Sequence, residues 1–219
     1  MELREILSRC DHTLLRQTAT WEEVRSLCDE GLRWGVASVC IPPCYVRRAA
    51  DYLAGRLPVC TVIGFPNGSH SAAVKCFEAE QALLDGAQEL DVVANLAFLR
   101  AGEHASVLEE LRSLKAVCGE KVLKVIIETC LLTEEEKKSM CRMVSEAGAD
   151  YIKTSTGFSS GGATREDVAL LRAYSAPEVK VKAAGGIATL QAADDFIRLG
   201  ADRLGTSRLV RLAIAMEER

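Results

Sequence analysis

The chain has 219 residues and a formal net charge of −4 at pH 7. This length falls within the range of one α/β barrel, so we expect a single domain over residues 1–219. The acidic balance and the scattered basic residues argue against nucleic-acid binding and favour a small-molecule partner. No apolar stretch approaches the roughly 18 residues of a membrane span, so we expect no membrane insertion.

The nine cysteines are odd in number and lack the spacing of a disulfide framework. The N-terminal sequence Met-Glu-Leu-Arg lacks the apolar core of a signal peptide, which favours a reducing cytoplasm. Cys40 and Cys44 are close enough to suggest zinc, but no second close pair accompanies them. We therefore expect buried or rim thiols and no metal.

Short β-rich runs alternate with helical patterns, which predicts repeated βα units around a parallel sheet. The predicted strands are residues 10–14, 36–41, 59–64, 89–93, 122–128, 151–154, 179–183 and 203–206. The predicted helices are residues 21–32, 45–53, 72–85, 105–117, 133–147, 165–174 and 190–199, and the segment from 207 onward closes the ring.

Local signals support these boundaries. Thr133 begins a capping box, and Gly86, Gly148 and Gly200 each precede an alanine and a strand, where glycine suits the end of a helix. An open doubly wound sheet is the alternative, but no Gly-x-Gly-x-x-Gly follows the first strand. The sequence therefore favours a closed (β/α)8 TIM barrel.

Apolar and charged residues alternate in four of the strands. Successive residues of a strand point to opposite faces, so apolar residues that face the helices turn the charged ones into the barrel. The inward residues are Asp91, Lys124, Lys153 and Lys182.

Burying so many charges needs a reason, because an isolated buried ion costs several kcal/mol. Lys153 and Lys182 lie on neighbouring strands, about 5 Å apart. A second cation and partial desolvation both lower an amine pKa, and a neutral amine attacks carbonyl groups. The alternative is a structural role for each lysine, paired with a carboxylate or extended to the rim, but Asp91 is the only evident strand partner.

Glycines follow the last two strands, as Ala184-Gly185-Gly186 and Gly205-Thr206-Ser207. In phosphate-binding barrels these two loops hold the anion on backbone amides. We therefore predict a phosphate site at this end of the barrel.

The sequence resembles the deoxyribose-phosphate aldolase family along nearly its whole length. The most specific segments are 151–157, Tyr-Ile-Lys-Thr-Ser-Thr-Gly, and 181–186, Val-Lys-Ala-Ala-Gly-Gly. The other matching segments are 11–13, 39–42, 62–66, 89–93 and 123–129.

The resemblance implies reversible cleavage of 2-deoxy-D-ribose 5-phosphate to acetaldehyde and D-glyceraldehyde 3-phosphate, without metal or organic cofactor. It implies that Lys153 forms the Schiff base, that Lys182 tunes this amine, and that Asp91 relays protons through a water.

The resemblance also implies a substrate-binding set. Asp11 and Lys124 correspond to polar residues that line the family's site, and Cys40 to a residue near the bound aldehyde. The residues expected around the phosphate are Gly157, Gly185, Gly186, Gly205 and Ser207, and Thr156 belongs to the same substrate-binding set.

The chain departs from some family members at three places. Phe158 replaces a lysine after the Ser-Thr-Gly turn, and Arg208 replaces a second serine. The first removes a charge from the expected phosphate site and the second adds one. The chain ends at Glu217-Glu218-Arg219, without a longer tail ending in tyrosine, so we expect no tail contribution to proton transfer.

Three other classes of protein fit the sequence less well. A phosphosugar isomerase or synthase would need paired carboxylates at strand ends, but lysines outnumber them here. A metal-dependent aldolase would rely on several imidazoles, whereas the chain has three histidines without metal-binding spacing. A phosphometabolite-binding protein would not need both Lys153 and Lys182. The oligomeric state is open, with a homodimer as one possibility.

Overall fold

Eight parallel strands close into a barrel in the order in which they occur along the chain. The computed structural model describes residues 1–218; Arg219, the last residue of the C-terminal sequence considered above, lies outside the described residues. The predicted TIM barrel is confirmed, and the open sheet is wrong.

The strands agree closely with those expected. They are β1 (Cys10–Thr13), β2 (Ser38–Ile41), β3 (Val59–Ile63), β4 (Glu89–Val93), β5 (Val122–Ile126), β6 (Tyr151–Lys153), β7 (Lys180–Ala184) and β8 (Arg203–Thr206).

The α-helices form the outer ring. They are α1 (Leu3–Leu7), α2 (Trp21–Trp34), α3 (Val46–Leu53), α4 (Ala72–Leu84), α5 (Leu96–Arg100), α6 (His104–Cys118), α7 (Glu134–Glu146), α8 (Arg165–Tyr174), α9 (Leu190–Arg198) and α10 (Leu209–Glu217). Two short 3₁₀ helices cover Pro43–Tyr45 and Thr129–Leu131.

The differences from the sequence prediction are local. Helices α1 and α5 were not predicted, because five residues are too few to show a helical period. Strand β5 ends two residues early, because Glu128 adopts a left-handed conformation with φ of 48°. The capping box at Thr133 is confirmed by its reciprocal bonds with Glu136.

The two faces of the sheet differ as the alternation predicted. Leu123, Val125 and Ile127 belong to the apolar core between the barrel and the helices. The barrel interior holds charged side chains and a small apolar cluster of Cys40, Cys60 and Val62. The functional groups therefore lie inside the barrel.

Within residues 1–218, we find no helix with both the length and the apolar composition needed to cross a bilayer.

A buried ion pair fastens two outer helices to the end of β4. The Lys75 ammonium on α4 donates to Glu110 Oε1 of α6 at 2.8 Å and to Val93 O at 2.8 Å. Glu110 also accepts the Asn95 N–H at 3.2 Å, and both charged side chains are buried. This pair holds the chain that leaves β4, one strand away from the lysine cluster described below.

We expect Glu110→Gln to lower the free energy of unfolding by about 3–5 kcal/mol, because the buried Lys75 ammonium loses its carboxylate. Urea denaturation followed by circular dichroism measures this change. Glu146→Gln is the control, since it breaks an exposed pair with Arg112, and should cost less than about 1 kcal/mol. Equal losses in the two variants would contradict the role given to Glu110.

Candidate active site

A cavity of about 430 Å³ opens where the loops after β6, β7 and β8 meet, at the carboxyl ends of the strands. This is the end at which TIM-barrel enzymes carry their active sites. Seven of the predicted site residues line the cavity: Lys153, Thr156, Gly157, Gly185, Gly186, Gly205 and Ser207.

The other five predicted residues do not line this cavity and are buried inside the barrel. They are Asp11, Cys40, Asp91, Lys124 and Lys182.

Strand register brings the two lysines together. Lys153 pairs with Lys182 between β6 and β7, and both ammonium nitrogens lie 2.6 Å from the same Asp91 Oδ2 atom. The Lys153 side chain also lines the cavity, whereas Lys182 is fully buried. The expected proximity of the two amines is confirmed, with a shared carboxylate between them.

Asp91 bonds to all three predicted lysines. Besides Lys153 and Lys182, it accepts from Lys124 Nζ, which lies 2.9 Å from Oδ1. Every one of these side chains is at least nine-tenths buried. Three lysine side chains therefore converge on one carboxylate in the buried interior.

Sequence reasoning missed two members of this cluster and was wrong that Asp91 was the only strand partner. Lys124 Nζ lies 2.6 Å from Glu89 Oε2, and Asp11 bonds to Lys182. Arg203 donates to Asp11 Oδ1 at 2.5 Å and to Glu89 Oε2 at 3.2 Å. Glu89 lies two residues before Asp91, so alternation along β4 could have revealed it.

These contacts set the ionisation of the buried carboxyls. Burial alone would raise the pKa of Asp91, but Lys124, Lys153 and Lys182 outweigh it and hold that pKa well below its ordinary value. Lys124, Lys182 and Arg203 likewise lower the pKa of Asp11 against the effect of burial. Both side chains are therefore carboxylates at neutral pH.

The pKa of Lys182 is shifted in the direction opposite to the one expected for an amine nucleophile. Burial disfavours the Lys182 ammonium, but Asp11 and Asp91 outweigh this and raise its pKa above the ordinary value. Lys182 therefore remains a fixed positive charge beside Lys153.

The thiols near Asp91 are buried. Cys60 Sγ donates to Asp91 Oδ1 at 3.2 Å, and burial raises the pKa of Cys60. Cys40, Cys60 and Asp91 have ligand atoms within 4.8 Å of one another, but the lysines on Asp91 disfavour another cation there. Cys40 is buried, whereas Cys44 is exposed.

The rim of the cavity supplies backbone donors. Among the described residues, the N–H groups of Gly157, Gly185, Gly186 and Ser207 have no acceptor. A side chain on Gly162 would approach Gly185 O to 2.3 Å, so the loops after β6 and β7 pack backbone against backbone. Such clusters of free amides bind anions.

Arginine side chains surround the same rim. Arg16, Arg208 and Arg211 line the cavity, and Arg16 pairs with Glu23. Neither Arg208 nor Arg211 has a carboxylate partner within 4.0 Å in the part of the chain that the structure describes. Phe158, half exposed, packs edge to face on Phe65 with ring centroids 5.1 Å apart.

Comparisons with known proteins agree with this geometry. Residues 6–208 match the family described as DeoC/LacD family aldolase. Deoxyribose-phosphate aldolases of Streptococcus pyogenes serotype M4 and Streptococcus agalactiae serotype Ia are each 51% identical to the chain over 212 residues, covering 97% of it and 95% of the relative. A tetrameric deoxyribose phosphate aldolase from Aeropyrum pernix superposes with a TM-score of 0.92 at 32% identity, covering 99% of this chain and 92% of that one.

The low pKa of Asp11 predicts a specific loss of stability in acid. Its contribution is complete above the unfolded pKa of about 4 and is lost as the pH falls towards the lower folded value. Below about pH 4, we expect the unfolding free energy of the parent to fall more steeply than that of Asp11→Asn, by up to about 1.4 kcal/mol per pH unit.

Urea titrations at a series of pH values measure these slopes. Replacement of the exposed Asp51 by Asn should leave the slope of the parent unchanged. If the unfolding free energy of Asp11→Asn fell with pH as steeply as that of the parent, the low folded pKa given to Asp11 would be wrong.

Proposed function

Because the chain belongs to the DeoC/LacD family of aldolases, we propose that it is a deoxyribose-phosphate aldolase. It reversibly cleaves 2-deoxy-D-ribose 5-phosphate to acetaldehyde and D-glyceraldehyde 3-phosphate. The observation that carries the proposal is the position of Lys153 Nζ, which bonds to Asp91 and borders the cavity. The reaction needs no metal or organic cofactor.

The charge balance of the buried cluster favours Lys153 as the nucleophile. Four cations, Lys124, Lys153, Lys182 and Arg203, meet three carboxylates, Asp11, Glu89 and Asp91. Lys153 pairs with one carboxylate, whereas the other three cations pair with two or more. Loss of the Lys153 proton therefore breaks the fewest ion pairs and leaves equal numbers of positive and negative charges.

In the proposed mechanism, the neutral Lys153 amine adds to the C1 carbonyl of the sugar phosphate, loss of water gives an imine, and uptake of a proton converts the imine to an iminium ion. The 3-hydroxyl then loses its proton while the electrons of the C2–C3 bond move towards the iminium nitrogen. This step releases D-glyceraldehyde 3-phosphate and leaves an enamine. Protonation at C2 and hydrolysis release acetaldehyde and the free amine.

The neighbours of Lys153 have separate roles in this proposal. Lys182 places a fixed positive charge beside the Lys153 nitrogen, and the Asp91 carboxylate holds both nitrogens. Asp91 also exchanges the proton of the substrate through a water. Asp11 and Lys124 maintain the charge balance beneath the reacting atoms, and Cys40 forms part of the buried wall.

The phosphate is assigned to the rim. The free N–H groups of Gly157, Gly185, Gly186 and Ser207 supply the donors, and Thr156 and Gly205 shape the same wall. Arg208 and Arg211 add positive charge on the side of β8, where it compensates for the apolar Phe158. A phosphate bound there leaves the aldehyde end of the sugar directed towards Lys153.

The same proposal includes a cytoplasmic location and one aldolase domain over residues 1–219. All nine cysteines are free, which suits a reducing compartment.

We expect borohydride reduction in the presence of acetaldehyde to place an ethyl group on Lys153, detectable by peptide mass spectrometry. Lys153→Ala should lose both this label and acetaldehyde release from 2-deoxy-D-ribose 5-phosphate. Replacement of the partly exposed Lys137 on α7 by Ala should keep both. An isomerase or a binding protein would give no adduct, and a label on Lys182 or Lys124 would overturn the assignment of the amine.

We also propose that the protein is a homodimer. On α4, Val74, Phe77 and Leu84 are spaced to share one face, and Phe77 and Leu84 are 64% and 66% exposed. Clustered exposed apolar side chains of this size are typical of protein interfaces. The tetramer of the Aeropyrum pernix relative gives a precedent for self-association.

We expect sedimentation velocity to show a dimer for the parent and a monomer for the double variant Phe77→Glu/Leu84→Glu, because charges on the shared face oppose its burial. Replacement of the exposed Tyr174 on α8 by Glu is the control and should leave the dimer intact. A monomeric parent would refute the proposal, as would a double variant that remains dimeric.

A further inference from the structure

Glu128 is a buried acidic residue with no role in the mechanism above. It follows β5, its side chain is 4% exposed, and no Lys, Arg or His within residues 1–218 forms an ion pair with it. Its backbone has a φ of 48°, a conformation that costs a residue other than glycine about 1–3 kcal/mol. A buried carboxyl on a strained backbone needs a local compensation.

That compensation comes from Thr156 on the loop after β6. The Thr156 N–H lies 3.2 Å from Glu128 Oε1 and 3.3 Å from Oε2, and the Thr156 hydroxyl donates to Oε2. The Thr156 Oγ1 atom in turn accepts the Phe158 N–H at 3.0 Å. Glu128 thus fixes Thr156, and Thr156 fixes Phe158.

Gly157 lies between Thr156 and Phe158. With the amides of Thr156 and Phe158 occupied, Gly157 keeps an N–H without an acceptor in the described structure. Gly157 lines the cavity beside Gly185 and Gly186. The bonds to Glu128 therefore hold one free amide of the turn in place at the rim, while the amides on either side of it are occupied.

We propose that Glu128 is a positioning residue for the phosphate, acting through Thr156 on the Gly157 amide. This inference rests on the proposed function. It separates the phosphate end of the site from the amine, because Glu128 makes no hydrogen bond with Asp91 or with any of the three lysines. Weakening the turn thus affects the binding of the phosphorylated substrate and spares Schiff-base formation.

The test measures two quantities in each variant: KM for 2-deoxy-D-ribose 5-phosphate, and the rate of borohydride trapping of acetaldehyde, which carries no phosphate. In Glu128→Gln we expect KM to rise about ten- to hundredfold, as for loss of hydrogen bonds to a charged group. The trapping rate should stay within about twofold of the parent.

Thr156→Val removes the same hydroxyl contact from the other side and should give a similar rise in KM, whereas Thr156→Ser should restore the parent value. The double variant Glu128→Gln/Thr156→Val should be no worse than the more affected single variant, because both remove one interaction. Asp202→Asn is the control. Asp202 accepts the Val181 N–H at 2.9 Å on β7, away from the cavity, so both quantities should remain unchanged.

Unchanged KM in Glu128→Gln and Thr156→Val would overturn the inference. A rise in KM accompanied by an equal fall in the trapping rate in both variants would also overturn it, since Glu128 would then support the barrel or the amine. Failure of the proposed function gives a different result, in which the parent itself neither cleaves the sugar phosphate nor traps acetaldehyde.

Discussion

The contact between Asp91 and three lysines is the interaction on which the rest of the site depends. Each ammonium would be costly to bury alone, and a carboxylate beside it offsets much of that cost only when the geometry is good. The parallel register of β4 to β7 supplies that geometry, since it brings Lys153 and Lys182 to one Asp91 oxygen and Lys124 to the other. The cluster exists because the barrel is closed, and it constrains which side chains can occupy the interior.

Much of this arrangement could be predicted from the sequence, because strand alternation is a local signal. The apolar Leu123 and Val125 identify the outer face of β5, and Lys124 between them must then point inward. Glycines after β7 and β8 predicted an anion site for a similar reason, since the position of a loop at the end of a barrel strand is fixed by the fold. These predictions required no knowledge of which strands touch.

Other features depend on contacts between distant segments and had no local signal. Arg203 contacts Asp11 across 192 residues of sequence, and this ion pair follows from barrel closure between β8 and β1. The sequence predicts Glu128 as the last residue of a strand. Its left-handed backbone and its bonds to Thr156 depend on the loop after β6, which the local sequence does not show. The direction of the Lys182 pKa shift was also beyond the sequence, because it depends on Asp11 and Asp91 together.

The site therefore combines two regions with different physical requirements. The floor is a buried network in which every charge has a partner, so a substitution there disturbs several ion pairs at once. The rim includes backbone amides, the Phe65–Phe158 pair, and Arg208 and Arg211, which have no carboxylate partner within residues 1–218. In the proposed function the rim contacts the substrate without contributing to the Asp91 network, so its sequence can vary while the proposed amine chemistry is preserved. Phe158 and Arg208, where this chain departs from some of its relatives, both lie on the rim, as this division requires.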